Sequence, residues 1–250
     1  MTRPSSLHHL IASSAHRAPN SVAVSDGRVE YGYRRLDENA NRLSHFLAGC
    51  GVAPGGVVGL RLAPGIDFAE AVLAVWRTGA AVLPLTDDLP LGAPAARIDL
   101  VLTRGPGHPD RPGTAPVVDL LAAAESIAAL PATDLGRAGA PQDPAWLGHD
   151  TATGAVLVLD HATLANQVAW LTDEFALEPT DRVLCADGGA GWPTPLLAAL
   201  AAGATVLTTG GREPLAVAAE ERATLLAVDS AALTPHAAES GWQDCDALRA

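Results

Sequence analysis

With 250 residues, 48% of them hydrophobic, the chain is long enough for one large or two small domains and apolar enough to bury a core. Its formal net charge of −12 argues against binding a phosphate backbone. No apolar run is long enough to cross a bilayer, and the opening MTRPSSLHHLIASSAHR lacks the basic-then-apolar order of a signal peptide, so a cytoplasmic protein is expected.

All 16 basic residues are arginine; the chain contains no lysine. A guanidinium carries charge but does not deprotonate to act as a nucleophile. Cys50, Cys185 and Cys245 are widely spaced and form no Cys-x-x-Cys pair, so reduced, small core residues are expected. His8, His9 and His16 lack metal-ligand spacing and are expected at the surface.

In chain order, two strand-like runs, Ser21–Ser25 and Arg28–Tyr31, flank Asp26-Gly27, a hairpin signal. Tyr33, Leu36, Ala40, Leu43 and Leu47 then share one helical face that ends at Gly49-Cys50-Gly51. A strand at Val57–Leu62, a helix at Asp67–Thr78 closed by Gly79, and a strand at Ala80–Leu85 form a βαβ pattern. From Thr86 to Pro144, short strands at Ile98–Thr103 and Ala115–Val118 lie among Gly/Pro-rich pieces, which suggests a boundary between two lobes. Alternation resumes at Ala145, with a helix from Ala162 to Phe175, a strand Arg182–Ala186, a helix Pro195–Ala202 and a strand Ala204–Thr208. A helix Pro214–Arg222, a strand Thr224–Val228 and a short last helix complete the pattern. There is no fixed-period repeat and no coiled-coil heptad.

The segment VEYGYRRLDENANRLSHFLAGCGVAPGGVVGLRL resembles the opening of the adenylate-forming superfamily, especially the adenylation domains of nonribosomal peptide synthetases. Tyr31, Leu36, Ala40, Asn41, Arg42, Leu43, Gly51, Val52, Pro54 and Gly55 carry that likeness. LAVWRTGAAVLPL continues it through Leu73, Ala74, Gly79, Ala80, Pro84 and Leu85. HATLANQVAWL, DRVLCADGGAGW and LAALAAGATVL then follow in the family's order. The resemblance implies an α/β fold with two parallel-sheet lobes flanked by helices, like the N-terminal half of an adenylation core. The lobes are expected at residues 1–140 and 141–250.

The chemistry departs from that pattern. The family's phosphate loop runs Thr-Ser-Gly-Thr-Thr-Gly-x-Pro-Lys-Gly, in which backbone N–H groups, hydroxyls and a lysine hold a triphosphate. Here Asp150-Thr151-Ala152-Thr153-Gly154 keeps two hydroxyls and one glycine, read as a strand-to-helix turn. The distance from Gly154 to His161 is too short for Pro-Lys-Gly. Thr151, Thr153 and Gly154 are therefore the candidate residual phosphate loop, with His161 a packing residue at the start of the following helix. The family's substrate-pairing aspartate would fall near Ala190. Asp187 reaches it only with a shifted loop, and Asp187 and Trp192 are the candidate pocket residues. Trp170 and Trp192 are expected to pack in the core or line that pocket. No catalytic residue, metal site or tightly held cofactor is expected, and ATP with Mg2+ should bind weakly if at all.

The chain ends at DALRA, before the family's Gly-Gly-Glu segment, and the resemblance implies that the Mg2+ glutamate, the ribose aspartate and the catalytic lysine lie outside it. Two functional readings follow. One is a degenerate homologue, non-catalytic alone, that serves as an interaction or scaffold partner. The other is half of a split amino-acid-activating ligase completed by a partner chain. A decayed fragment without a role is the dullest alternative. Apolar surface bared on Ala204–Thr208 and Thr224–Val228 would favour a homodimer or a complex with a synthetase component.

Overall fold

A computed structural model of the chain describes residues 7–85, 97–105, 115–137, 139–149, 156–186, 193–227 and 248. In chain order the elements are α1 (Leu7–Arg17), β1 (Val22–Ser25), β2 (Glu30–Gly32), α2 (Tyr33–Gly49), β3 (Val57–Arg61), α3 (Ile66–Arg77) and β4 (Ala81–Pro84). Then come β5 (Leu100–Thr103), β6 (Val117–Asp119), α4 (Ala124–Ala128), β7 (Pro144–His149), β8 (Val156–Asp160) and α5 (His161–Glu174). The series closes with β9 (Arg182–Cys185), α6 (Thr194–Ala202), β10 (Thr205–Thr208), α7 (Pro214–Glu220) and β11 (Leu225–Ala227). The elements fall into two compact units, each with its own sheet.

The first unit takes most of its chain from Asp37–Ala63 and Asp67–Ala165. Among the described residues its sheet runs β6-β5-β3-β4-β7-β8, parallel from β6 to β7, with β8 antiparallel to β7. The runs VVGL, AVLP and LVL are continuously apolar rather than alternating because a parallel sheet is covered on both faces; Val58, Leu60, Val82, Leu83 and Leu102 are fully buried. Helix α3 is buried from Ala71 to Arg77, and the stretch Ala71–Trp76 is apolar on every side. Its buried charge, Arg77, forms an ion pair with the Asp37 carboxylate on α2, and a second guanidinium nitrogen donates to the Asp37 carbonyl at 2.8 Å. Trp76, also fully buried, donates from Nε1 to the Ala145 carbonyl at 2.8 Å, tying α3 to β7. Gly79 ends the helix at φ +77, a conformation that suits glycine, and Pro54 atoms would lie 3.1 Å from any Cβ added there.

The second unit is built mainly on Leu10–Leu36 and Asn166–Ala250. Its sheet runs β11-β9-β10-β1-β2, parallel except for β2, which pairs antiparallel with β1. The Asp26 turn forms as its sequence predicts: the Asp26 carboxylate accepts the N–H groups of Arg28 and Val29, each at 2.8 Å. Buried Tyr33 donates from its hydroxyl to the carbonyls of Ala204 at 2.7 Å and Leu200 at 3.1 Å, which fixes the start of α2 against α6 and β10.

Several expectations change here. The sheets do not divide at residue 140, because β1 and β2 join the sheet of β9–β11 while β7 and β8 join that of β3–β6. Parallel pairing is non-local, and strand periodicity carries no record of which distant strand becomes the neighbour. Strand β10 is not bared: it lies between β9 and β1, with Val206 and Leu207 fully buried. Leu248 adds to the apolar cluster of Leu184, Leu207, Leu215 and Val217. Helices α1 and α4 and the β7–β8 pair are absent from the sequence reading. Cys50 is exposed rather than a core residue, and Cys245 lies outside the described residues. Among the described residues no helix is long and apolar enough to cross a membrane.

Candidate functional site

The candidate phosphate loop is set by the β7–β8 pair. Register partners run from Pro144↔Asp160 to His149↔Val156, so the connection between the strands is residues 150–155. Thr151, Thr153 and Gly154 belong to that connection and lie outside the described residues. Their setting differs from the strand-to-helix turn read from the sequence, because the segment joins two antiparallel strands. Helix α5 starts only after β8, at His161. Between Gly154 and His161 stand Ala155 and the five residues of β8, all five committed to the strand. That leaves no residues for a Pro-Lys-Gly segment. From Pro144 to Asp160 there is no arginine or lysine, so the hairpin brings no fixed positive charge of its own to an anion.

At the base of the hairpin, Asp160 caps α5 by accepting the Thr163 N–H at 2.7 Å. The Thr163 side chain and N–H hold the Asp160 carboxyl below the usual carboxylate range. His161 follows, buried, with its ring edge-on to Trp76 at 5.5 Å between centroids. Neither ring nitrogen has a hydrogen-bond partner. Burial pushes the imidazole pKa down and outweighs the opposing pull of the Asp143 and Asp160 carboxylates, so the ring is neutral at neutral pH. Its place is that of a packing residue at the start of α5.

The candidate pocket lies on the other sheet. Strand β9 connects through α6 to β10 on one side, and the chain then returns through α7 to β11 on the other. The carboxyl end of β9 is therefore the switch point of this sheet, the place where open α/β sheets bind ligands. Asp187 and Trp192 belong to the connection that leaves it, residues 187–192, outside the described residues. The switch point is invisible in the sequence because it depends on strand order. Trp170 is not a core residue: it is 60% exposed on α5. His16 is exposed, and no cluster of His, Cys, Asp or Glu among the described residues could hold a metal.

Residues 11–102 match the family model for the AMP-binding enzymes. The chain is 31% identical over 237 residues to a probable nonribosomal peptide synthetase, CymA, of Salinispora arenicola, covering 86% of this chain and 3% of that protein. Among solved structures, the nonribosomal peptide synthetase FmoA3 is 27% identical with a TM-score of 0.78, covering 90% of this chain and 25% of that one. A fatty acyl CoA synthetase of Mycobacterium tuberculosis shares the fold alone, at 16% identity and a TM-score of 0.86, over 98% of this chain and 53% of that one. Fold and sequence together define an α/β protein of the adenylate-forming superfamily. More particularly, the chain is an adenylation-domain region of the nonribosomal peptide synthetase kind. It spans 3% to 9% of the length of the curated synthetases it matches.

Proposed function

We propose that this chain is a degenerate adenylation-domain homologue of nonribosomal peptide or related specialised metabolism, non-catalytic alone, acting in the cytoplasm as an interaction or scaffold partner. The observation that carries this reading is the short hairpin: β8 takes up the residues after Gly154 that a Pro-Lys-Gly segment would need, in a chain without lysine. Acyl-adenylate formation gathers negative charge on the triphosphate as the acid attacks. Preorganised donors and cations that meet such charge are usually the largest catalytic contribution, and losing one donor costs on the order of 100- to 1000-fold. Backbone N–H groups and the two threonine hydroxyls of the connection remain to hold an anion, and Asp150 beside them opposes it.

The test is acid-dependent exchange of pyrophosphate into ATP across the common amino acids, expected to stay at background. Titration with ATP and Mg2+ is expected to give a Kd of about 1 mM or weaker, equivalent to roughly 4 kcal/mol. Turnover by the purified chain alone overturns the reading. The overlap of 90% of this chain with part of FmoA3 favours one alternative, a split ligase, in which this portion of the core is completed by a chain that brings the missing cations. Exchange that appears only on mixing with such a chain selects that alternative. The partner expected for the scaffold role is a second copy or a synthetase component, and light scattering with and without neighbouring gene products distinguishes them.

A further inference from the structure

His161 is a buried ionisable group for which the reading above has no use. It sits where β8 becomes α5, and a tight turn lies against it. Within that turn the Ala140 N–H donates to the Asp143 carboxylate at 2.7 Å, and the Asp143 N–H to the Ala140 carbonyl at 3.0 Å. The turn also takes two of the N–H groups at the start of α5: His161 N–H donates to the Asp143 carbonyl at 3.2 Å, and Ala162 N–H to the Pro141 carbonyl at 2.8 Å. At Gly139 the chain passes so close that an added Cβ would stand 3.3 Å from His161 Nε2 and 3.5 Å from the Asp143 carboxylate. A side chain there would crowd the ring by a few tenths of an ångström, so glycine lets the turn lie close against it.

We propose that His161 is a pH-operated latch: the neutral ring lets the 139–143 turn close over the start of α5, and proton uptake releases it. The ring is 1% exposed, and both its nitrogens lack partners. A neutral imidazole tolerates this at a modest cost; an imidazolium, with two N–H donors and a full charge, does not. The charged groups that act on it are Asp143, from the turn, and Asp160, from the end of β8. Helix α3 offers it the Trp76 indole. Both carboxylates already accept backbone N–H groups, Asp143 from Ala140 and Asp160 from Thr163. In the closed turn neither carboxylate is hydrogen-bonded to the ring, so the cation gains a partner only if the ring or Asp143 shifts or if water reaches it, and such a shift loosens the turn that Asp143 closes. Because burial holds the folded pKa below the ordinary histidine value of 6.5, the latch is fully closed above that pH. It loosens as pH falls through the folded value, since the open form binds the proton more tightly. This holds whether or not the chain binds nucleotide.

Amide exchange followed by NMR on the whole chain tests it, with protection factors corrected for the intrinsic rate at each pH. Protection of the Ala162 N–H is expected to be constant above neutrality. In acid it should fall by about tenfold for each unit by which the folded pKa lies below the unfolded one. His161→Phe keeps a ring against Trp76 and cannot titrate, and its Ala162 protection is expected to stay flat over the same range. Constant protection in the wild type, or the same acid loss in His161→Phe, overturns the latch. Should His161→Phe fail to fold, the imidazole shifts of the wild type decide. A His161 titration below the ordinary value, coincident with loss of Ala162 protection, supports the latch. Titration at or above that value, or without loss of protection, refutes it.

Discussion

Strands β3, β4 and β5 and the β7–β8 hairpin belong to one sheet, yet they are constrained very differently. The central strands are buried on both faces and carry α3 against them, with Trp76 and Arg77 fixed by specific partners. At the sheet's edge β8 leaves Leu157 and Val158 half exposed, at 47% and 54%. The match to the AMP-binding family covers the central strands β3 and β4 and most of β5, residues 11–102, and stops short of the hairpin. A core whose side chains fill one another's space resists change because each loss leaves a cavity. A loop can lose its cation while the fold beneath it stays intact. That difference is how a chain can keep the fold of an adenylation domain while its phosphate loop departs from the family pattern.

Trp76→Ala should show the largest effect. It removes a fully buried ring, leaves the Ala145 carbonyl without its donor and withdraws the surface on which His161 packs. A loss of about 3–5 kcal/mol in urea unfolding is expected. A loss under about 1 kcal/mol would break the contrast, because the core would then be no more demanding than the edge. Arg77→Ala comes next, at about 1–3 kcal/mol. It opens a buried site and leaves Asp37, itself partly exposed, without its guanidinium partner. Arg77→Lys should recover only part of this, since a lysine cannot reach both Asp37 oxygens with a planar fork.

A smaller effect is expected in the second unit. Tyr33→Phe deletes the hydroxyl that joins α2 to the Leu200 and Ala204 carbonyls, and about 1 kcal/mol of stability should be lost. In the wild type, burial pushes the Tyr33 phenol well above its ordinary range, so its ultraviolet titration should be absent at pH values where an exposed tyrosine ionises. Smallest of all should be Thr153→Ala and Val158→Thr in the hairpin, each within about 0.5 kcal/mol of the wild type in the same unfolding assay. If Thr153→Ala abolishes a micromolar ATP affinity, the hairpin is a working site and the contrast with the core loses its functional meaning.

The amino-acid sequence by itself determined the local elements. The apolar runs at Val57, Ala81 and Leu100 became strands, and the helical face from Tyr33 to Leu47 became the buried side of α2. Gly79 closed α3 where the pattern ended, and the Asp26-Gly27 pair turned the first hairpin. These features depend on periods of two and 3.6 residues and on turn chemistry, which neighbours in the chain supply. The collinear motifs and the missing lysine were equally legible, because they are properties of residue identity. Tertiary structure alone decided that the chain interleaves. β1 inserts beside β10, with Val24 facing Val206, and β7 returns beside β4, with Val82 facing Trp146. It also decided that β9 is a switch point, that His161 lies between Trp76 and the Gly139–Asp143 turn, and that Trp170 faces outward. Each depends on segments brought together from distant parts of the chain. Strand partners are chosen by the packing of both sheet faces, a condition that a single strand's side chains can permit but cannot specify.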